Sequence, residues 1–543
     1  MMAYLPAVNG SSMTNDIDEA PDFEKGRVGG RVAARSRLKA VEFLAAATVV
    51  ALGIRTAYLF VRYALGSTAT HRFHVESAAL IFVGCGLVFR LTRGRTAERE
   101  LTHSVALASR SLLVFCGLAI ALYWPALSVG FLSDDFVLVN HASSWRIGPV
   151  TPALFRPLPL LIWALVLHVG GGAKTLHLLN VVLHGTNAYL TARVVERWVQ
   201  DSTWSLLAGL LMLTAPLAPE AVAWCSGVFD LSATALVLTC VLVARRYDDH
   251  PSVATRVQFI AIGVAALASK ETAAIAVGLV LVDAWSRNAL SRRLLVDAGI
   301  LVGIAGAFSL ARLTSAFGLA RPPFSKFLLQ RAVLGSFGGL AVPWHVDVIT
   351  SVPWLPILGV FIVTYLSTVF LVGSGSKRRT KFAMAAAMWV LLPIIPIWPI
   401  FFVAPDLQAS RFLYLPAVGW AALIVVVASK PSATYLKPLS TAAVGGLILI
   451  AAYGTTLHLR PWTDAARLRD QVEASALDAG MNRCPTITLG NLPDSVRGAY
   501  VFRNGGPEAF ASDLHLKAVV DNHPGGPCSF RWSDTQLSFV RHP

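Results

Sequence analysis

Apolar residues dominate the chain in long, nearly unbroken runs, not in the alternation of half-buried strands. Such runs lie near 40–63, 75–92, 108–128, 177–197, 203–218, 221–244, 255–269, 272–287, 294–313, 355–374, 381–402, 411–429 and 437–456. Roughly 20 apolar residues cross a hydrocarbon core ~30 Å thick, because a helix rises ~1.5 Å per residue. The pattern therefore predicts an all-α polytopic membrane protein of about 13 transmembrane helices. A transmembrane barrel is disfavoured, since its strands are only ~10 alternating residues long. Two apolar stretches fail as spans: 157–169 is too short, and 327–345 is broken by Gly and carries Arg331. Both predict helices lying on the outer membrane surface. Beyond Pro461 the chain turns polar, and a helix near 463–478 followed by strands in PTITLG and CSFRW predicts a small α+β tail.

Composition and charge sharpen this picture. Of 543 residues, 55% are hydrophobic and 14% charged, against about 25% charged in soluble domains. The net charge of +15 sits mostly between apolar runs, as expected of cytoplasmic linkers, so no nucleic-acid partner is expected. RLTRGRTAERE, ARRYDDHPSVATR, SRNALSRR and SKRRTK all fall on one side if the basic N-terminal segment is cytoplasmic and odd-numbered spans run outward. The basic flanks of 255–287 require a hairpin, with SKET at its outer turn; Glu220 falls in another outer turn. This parity divides the chain into a polar cytoplasmic tail (1–36), two extra spans with a basic linker (37–107), a main membrane module (108–456) with outer loops 129–176 and 314–354, and an extracytoplasmic domain (457–543). No cleaved signal peptide is expected. The expected location is the inner membrane, with the active side facing the periplasm or exterior. Cys85, Cys116, Cys225 and Cys240 lie in apolar runs, whereas Cys484 and Cys528 share the polar tail and can form a disulfide outside the cytoplasm.

Candidate chemistry gathers at the expected outer face. Asp134 and Asp135 follow the third span directly; they are either solvated loop acids or, since side chains in an extended segment point to opposite sides, a base and a neighbour that binds the acceptor, a structural donor or a metal. Arg156, Lys270 with Glu271, and Arg411 in the stretch SRFLY ending at Tyr414 place cations outside, against the positive-inside bias; snorkelling to headgroups is the competing reading. Together with the acids they suit an anionic, membrane-borne ligand. His177, Asn180, His184 and Asn187 recur at helical spacing, marking a buried polar stripe that serves structural hydrogen bonds or supports substrate. No metal site is assigned. There is no phosphate-binding Gly loop, Cys-x-x-Cys pair or nucleophile elbow.

The ordered set FLSDDFVLVN, LFRPLPLLIWAL, LHLLNVVLHGTNAYL, PEAVAWCSGVFDLSATA, LASKETAAIAVGLVLVD and SRFLYLPAVGW resembles membrane glycosyltransferases of the GT-C superfamily, in particular the branch of protein O-mannosyltransferases and TMTC-type proteins. The resemblance covers roughly 108–428. It implies that Asp134 and Asp135 are catalytic, that the donor is a polyprenyl-phosphate sugar held through Arg156, Lys270 and Arg411, and that the acceptor is a glycan, lipid or protein hydroxyl. Glu220 would orient acceptor or cation, and Mg or Mn is compatible with such a site without being required. The chain departs from the family at Ala215 and Ala218, where His is frequent, at Val228, where a basic residue is usual, and at Ser410, where an acid often stands. It also lacks TPR repeats. A polytopic transporter or lipid flippase and a catalytically inactive scaffold are the alternatives.

Overall fold

The computed structural model describes residues 102–146, 156–315, 335–336, 338–340, 342–373, 377–395, 403–429, 436–521 and 528–541. The N-terminal tail, the spans expected at 40–63 and 75–92, the linker after them and most of the surface helix expected at 327–345 lie outside these residues. Helices form most of the rest: α1 (Thr102–Leu122), α2 (Asp134–Ser143), α3 (Pro157–His168), α4 (Ala173–Val199), α5 (Ser202–Leu213), α6 (Pro219–Ala223), α7 (Val228–Asp249), α8 (Val253–Ser269), α9 (Ala276–Ser286) and α10 (Arg292–Ser315). They are followed by α11 (Val346–Ser351), α12 (Trp354–Gly373), α13 (Lys377–Ile394), α14 (Tyr414–Ala428), α15 (Leu436–His458) and α16 (Arg460–Asp478).

Among the described residues, three helical stretches are both long and apolar enough to cross a membrane: Cys225–Asp249, Ser410–Ala428 and Lys437–Asp478. Helix α4 is also long, at 27 residues, but its buried polar stripe and charged end dilute its hydropathy. The run expected as one span at 221–244 is broken. Pro219 starts the short α6, Trp224 is extended (φ −101°, ψ 127°), and a 3-10 turn at Cys225–Gly227 leads into α7. A side chain at Gly227 would strike the Ala221 carbonyl, so the tight turn needs glycine.

Buried ion pairs reveal how the chain reverses. Lys270, at the end of α8, meets Asp230 in the first turn of α7 at 2.5 Å. Asp283, near the end of α9, meets Arg245, near the end of α7, at 2.6 Å. Thus α8 returns to the start of α7 and α9 runs back to its end, as a hairpin about Lys270 requires. Asp283 accepts from Arg245 Nε and NH2, Arg287 Nε and Trp198 Nε1, which fastens α4, α7 and α9 at that end.

The C-terminal unit contains α16, α17 (Gly506–Asp513) and a mixed sheet of order β4-β1-β5-β6, made by β1 (Ile487–Gly490), β4 (Ala518–Val520), β5 (Ser529–Ser533) and β6 (Ser538–Arg541). The strand β1 is parallel to β4 and β5, while β6 is antiparallel to β5. A small hairpin of β2 (Ser495–Val496) and β3 (Ala499–Tyr500) lies between β1 and α17. Cys484 and Cys528 are joined by a disulfide just before β1 and β5. One hydrophobic cluster runs from Phe115 and Leu210 in the helical bundle through Trp462 to Phe510 and Trp532, so this unit shares its core with the helices.

The Arg245–Asp283 pair is almost wholly buried. Removing one member strands a charge in a medium that cannot solvate it, at a cost of about 3–5 kcal/mol. Asp283→Ala is therefore expected to lower the unfolding temperature in detergent sharply, with Asp283→Asn falling between it and the native chain.

Candidate functional site

The acidic pair lies at the start of α2, not in an extended segment. Adjacent helical positions also diverge, by about 100°, and the two carboxylates meet different surroundings. Asp135 is fully buried: Oδ2 accepts from Leu132 N (3.0 Å), and Oδ1 accepts from Ser226 N (2.8 Å) and Ser226 Oγ (2.5 Å). Burial raises this carboxyl to about 7 against the lowering influence of those donors. It clamps the α1–α2 loop onto the turn before α7. Asp134 is half-buried, and its Oδ1 accepts from Asn504 Nδ2 at 2.7 Å.

The loop carrying the pair is held from three directions. His177 Nε2 lies 2.8 Å from the Gly130 carbonyl, and Arg469 NH1 donates to the carbonyls of Val129 (3.2 Å) and Phe131 (2.9 Å). Gly130 has φ +75°, and a side chain there would run into the Arg469 guanidinium. Ser133 takes φ 51°, ψ −118°, an unfavourable conformation of order 1–3 kcal/mol. Contacts from the C-terminal unit maintain it: Ser133 N donates to Val501 O (2.8 Å), and Asn504 N donates to Ser133 Oγ (3.2 Å). Gly505, at φ +86°, completes this close approach; a Cβ there would lie 2.6 Å from Ser133 O.

Arg156, Lys270 and Arg411 come together, and each meets a carboxylate from a distant segment. Arg156 grips Glu271 through Nε (3.0 Å) and NH2 (2.7 Å) and lies over the Phe229 ring. Lys270 is sealed between Asp230 and the Phe412 ring, 4.6 Å from its centroid. Arg411 donates to Glu220 Oε1 from NH1 (3.0 Å) and to Oε2 from its backbone N (3.2 Å), with Ser410 Oγ also on Oε2 (3.1 Å). Burial would raise Glu271, but the charges of Arg156 and Lys270 bring it down to about 2, so it stays ionised. Burial pushes Glu220 up despite its Arg411 partner. Trp224 links cations and acids: its Nε1 donates to Leu132 O (3.0 Å), while Arg411 sits 4.4 Å above its ring and Tyr500 packs against it.

The α4 stripe binds the bundle together. Asn180 Nδ2 donates to Trp224 O and Cys225 O; His184 bridges Tyr414 OH (2.6 Å) and Leu213 O (2.9 Å); Asn187 donates to Tyr414 OH and Leu231 O. His177 and Asn180 thus support the loops of the site, whereas His184 and Tyr414 lie one to two turns deeper. Among the described residues, no three His, Cys, Asp or Glu side chains gather as a metal-ligand set.

Sequence reasoning did not single out Asp230, Ser226, Trp224, Arg469, Tyr500 or Asn504. Asp230, Ser226 and Trp224 stand inside the quoted PEAVAWCSGVFDLSATA stretch, so an acid near a basic outer turn was a usable signal. Arg469, Tyr500 and Asn504 come from the polar tail and carried none.

No protein-family model matches the chain. Its sequence is similar to protein O-mannosyl-transferase Tmtc2 of Drosophila melanogaster, 32% identical over 188 residues, or 30% of this chain and 20% of that protein. TMTC2 of Mus musculus is 29% identical over 151 residues, 24% of this chain and 18% of that protein. Tmtc1 of Drosophila melanogaster is 30% identical over 198 residues, 32% of this chain and 23% of that protein. The chain therefore matches only about a fifth of the length of these relatives. Among solved structures, ArnT from Cupriavidus metallidurans bound to undecaprenyl phosphate aligns with a TM-score of 0.44 at 15% identity, covering 78% of this chain and 94% of that one. Its apo state gives 0.41 at 15% identity, covering 79% and 94%. Neither score by itself establishes a common fold. The motif order and the matched relatives agree: over about a third of its length, this chain resembles the TMTC-type protein O-mannosyl-transferases.

Proposed function

We propose that the protein is an integral-membrane glycosyltransferase that moves a sugar from a polyprenyl-phosphate donor to an acceptor hydroxyl on the extracytoplasmic side, in a single inverting displacement. One observation carries this reading: Arg156, Lys270 and Arg411 converge beside the loop that bears Asp134. Similarity to proteins named as O-mannosyl-transferases favours the same reaction class.

In this mechanism Asp134 is the general base. Asn504 holds Oδ1, so Oδ2 takes the proton as the acceptor oxygen attacks the anomeric carbon. The bond from that carbon to the phosphate oxygen breaks, and polyprenyl phosphate leaves with the electron pair. The carboxylic acid then returns its proton to water. No strong general acid is needed, because the leaving phosphate is already a stable anion.

Arg156 and Arg411 are the cations within reach of that phosphate, with side chains 16% and 19% exposed. The Arg156–Glu271 pair is the one a phosphate displaces most readily, since Glu271 is itself 40% exposed. Lys270, 2% exposed, acts by position: it neutralises Asp230 and holds Phe412. Glu220 aims the Arg411 guanidinium, and Asp135 fixes the loop. The acceptor hydroxyl approaches from the C-terminal unit, where Asn504 and Tyr500 border the acid and the cations.

Purified protein incubated with a panel of polyprenyl-phosphate sugars and candidate acceptors is expected to yield a product whose mass rises by one glycosyl unit. Asp134→Asn should reduce that transfer about 10²–10⁴-fold while keeping the native unfolding temperature, since the amide oxygen still accepts from Asn504. Near-native transfer by this variant would remove Asp134 from the role of base. Asn504→Ala is expected to lower kcat by up to about tenfold through loss of one charge-assisted hydrogen bond, with KM for the donor nearly unchanged. Arg156→Gln should do the reverse, raising the donor KM before it affects kcat.

A further inference from the structure

The far end of the bundle carries a second cluster of charge that the transfer reaction does not use. Helix α4 begins near the acidic loop at His177 and reaches Arg197 twenty residues on, about 30 Å away along the helix. There an open cavity of about 580 Å³ is lined by Arg197, Arg287, Lys377, Arg378 and Lys381, together with Asn288, Gln200, Ser286 and Phe382. Among the described residues, no carboxylate lines it. Behind the lining, Asp249 pairs with Arg197, while Asp248 and Asp283 pair with Arg287. Among the described residues, no carboxylate pairs with Lys377, Arg378 or Lys381; Lys381 Nζ instead sits 4.9 Å over the Trp285 ring and meets Asn288 Oδ1.

The rest of α13 indicates what kind of anion belongs there. Lys377 and Lys381 are one turn apart, and the same face continues through Met384, Met388 and Leu391 to Ile395, at spacings of four and three. These four apolar side chains are 48%, 36%, 43% and 55% exposed. From Lys381 to Ile395 the stripe is about 21 Å long, enough to cover one leaflet of roughly 15 Å. A ligand matched to this face has a phosphate at one end and hydrocarbon along its length. A free phosphate or nucleotide would use the cations and leave the stripe bare.

We propose that this cavity binds the headgroup of an anionic phospholipid, with its acyl chains along the Met384–Leu391 face of α13 and Ile395 just beyond it. The site is separate from the transfer site, being built from the ends of α4, α9 and the start of α13. The lipid phosphate ties together two segments, the α9–α10 turn and the α13 start, that otherwise meet there through Lys381, Asn288 and Trp285.

The test is native mass spectrometry of the full chain in detergent, delipidated and then titrated with phosphatidylglycerol or phosphatidylcholine. Phosphatidylglycerol is expected to bind at least about tenfold more tightly, with an affinity that falls as salt rises. Lys377→Gln/Lys381→Gln should weaken it by about tenfold or more, whereas Arg292→Gln/Arg293→Gln, at a separate basic cavity, should change it less than about threefold. Equal binding of the two lipids by the native chain would overturn the proposal and needs no variant to fold. Unchanged binding in the double-lysine variant would overturn it as well. Displacement of phosphatidylglycerol by equimolar inorganic phosphate or glycerophosphoglycerol would identify a site for free anions, which also overturns it.

Discussion

The candidate site depends on one electrostatic constraint: charges drawn out of water must be paired. Arg156, Lys270 and Arg411 arrive from segments far apart in the chain, and each meets an acid from another segment, Glu271, Asp230 and Glu220. An unpaired cation at the Lys270 position would carry a desolvation penalty of several kcal/mol. Paired, these groups fix the relative positions of the α3 start, the α5–α7 turn, the α8–α9 reversal and the α14 start. The cluster is neutral as a whole, so an incoming phosphate competes with carboxylates already in place. That favours ligands whose charge is delivered from the Arg156 side, where the partner carboxylate, Glu271, is the more exposed one.

Aromatic rings turn this ion cluster into a shaped surface. Phe229, Trp224, Phe412 and Tyr500 each face a cation. A guanidinium over a ring keeps an electrostatic partner without an additional acid. Trp224 does most of this linking, because its ring carries Arg411 and its Nε1 holds the loop of Asp134. The C-terminal unit then closes the arrangement through Tyr500, Val501 and Asn504. It is therefore part of the site, not a tethered appendage, in keeping with the shared hydrophobic core.

The two ends of the bundle treat charge differently. Near the acidic loop, Arg156, Lys270 and Arg411 each have a carboxylate partner and are largely enclosed. At the opposite end, Asp283 unites Trp198, Arg245 and Arg287 in a buried network, and the excess cations are displayed outward on α13. The first arrangement suits a ligand that must displace a partner in order to bind. The second, whose Lys377, Arg378 and Lys381 meet no carboxylate among the described residues, suits a ligand that brings negative charge.

The sequence by itself determined the local features. Apolar runs located most of the long described helices, with ends off by up to about eight residues, because burial along a helix depends on residues close in the chain; the short α2, α6 and α11 and the break before α7 were not in that pattern. The spacing of His177, Asn180, His184 and Asn187 placed them on one buried face, and the strands at PTITLG and CSFRW came from short-range pattern. The two tail cysteines were recognisable as a pair, but their bond was decided by β1 and β5 lying side by side. Tertiary structure alone decided which acid each cation meets, across separations of 115 residues for Arg156 and Glu271 and 191 for Glu220 and Arg411. It also distinguished the adjacent acids, enclosing Asp135 among Leu132 and Ser226 and leaving Asp134 to Asn504, 370 residues away. Periodicity reports which face of a helix is buried, but not what that face touches; those partners depend on how the whole chain packs.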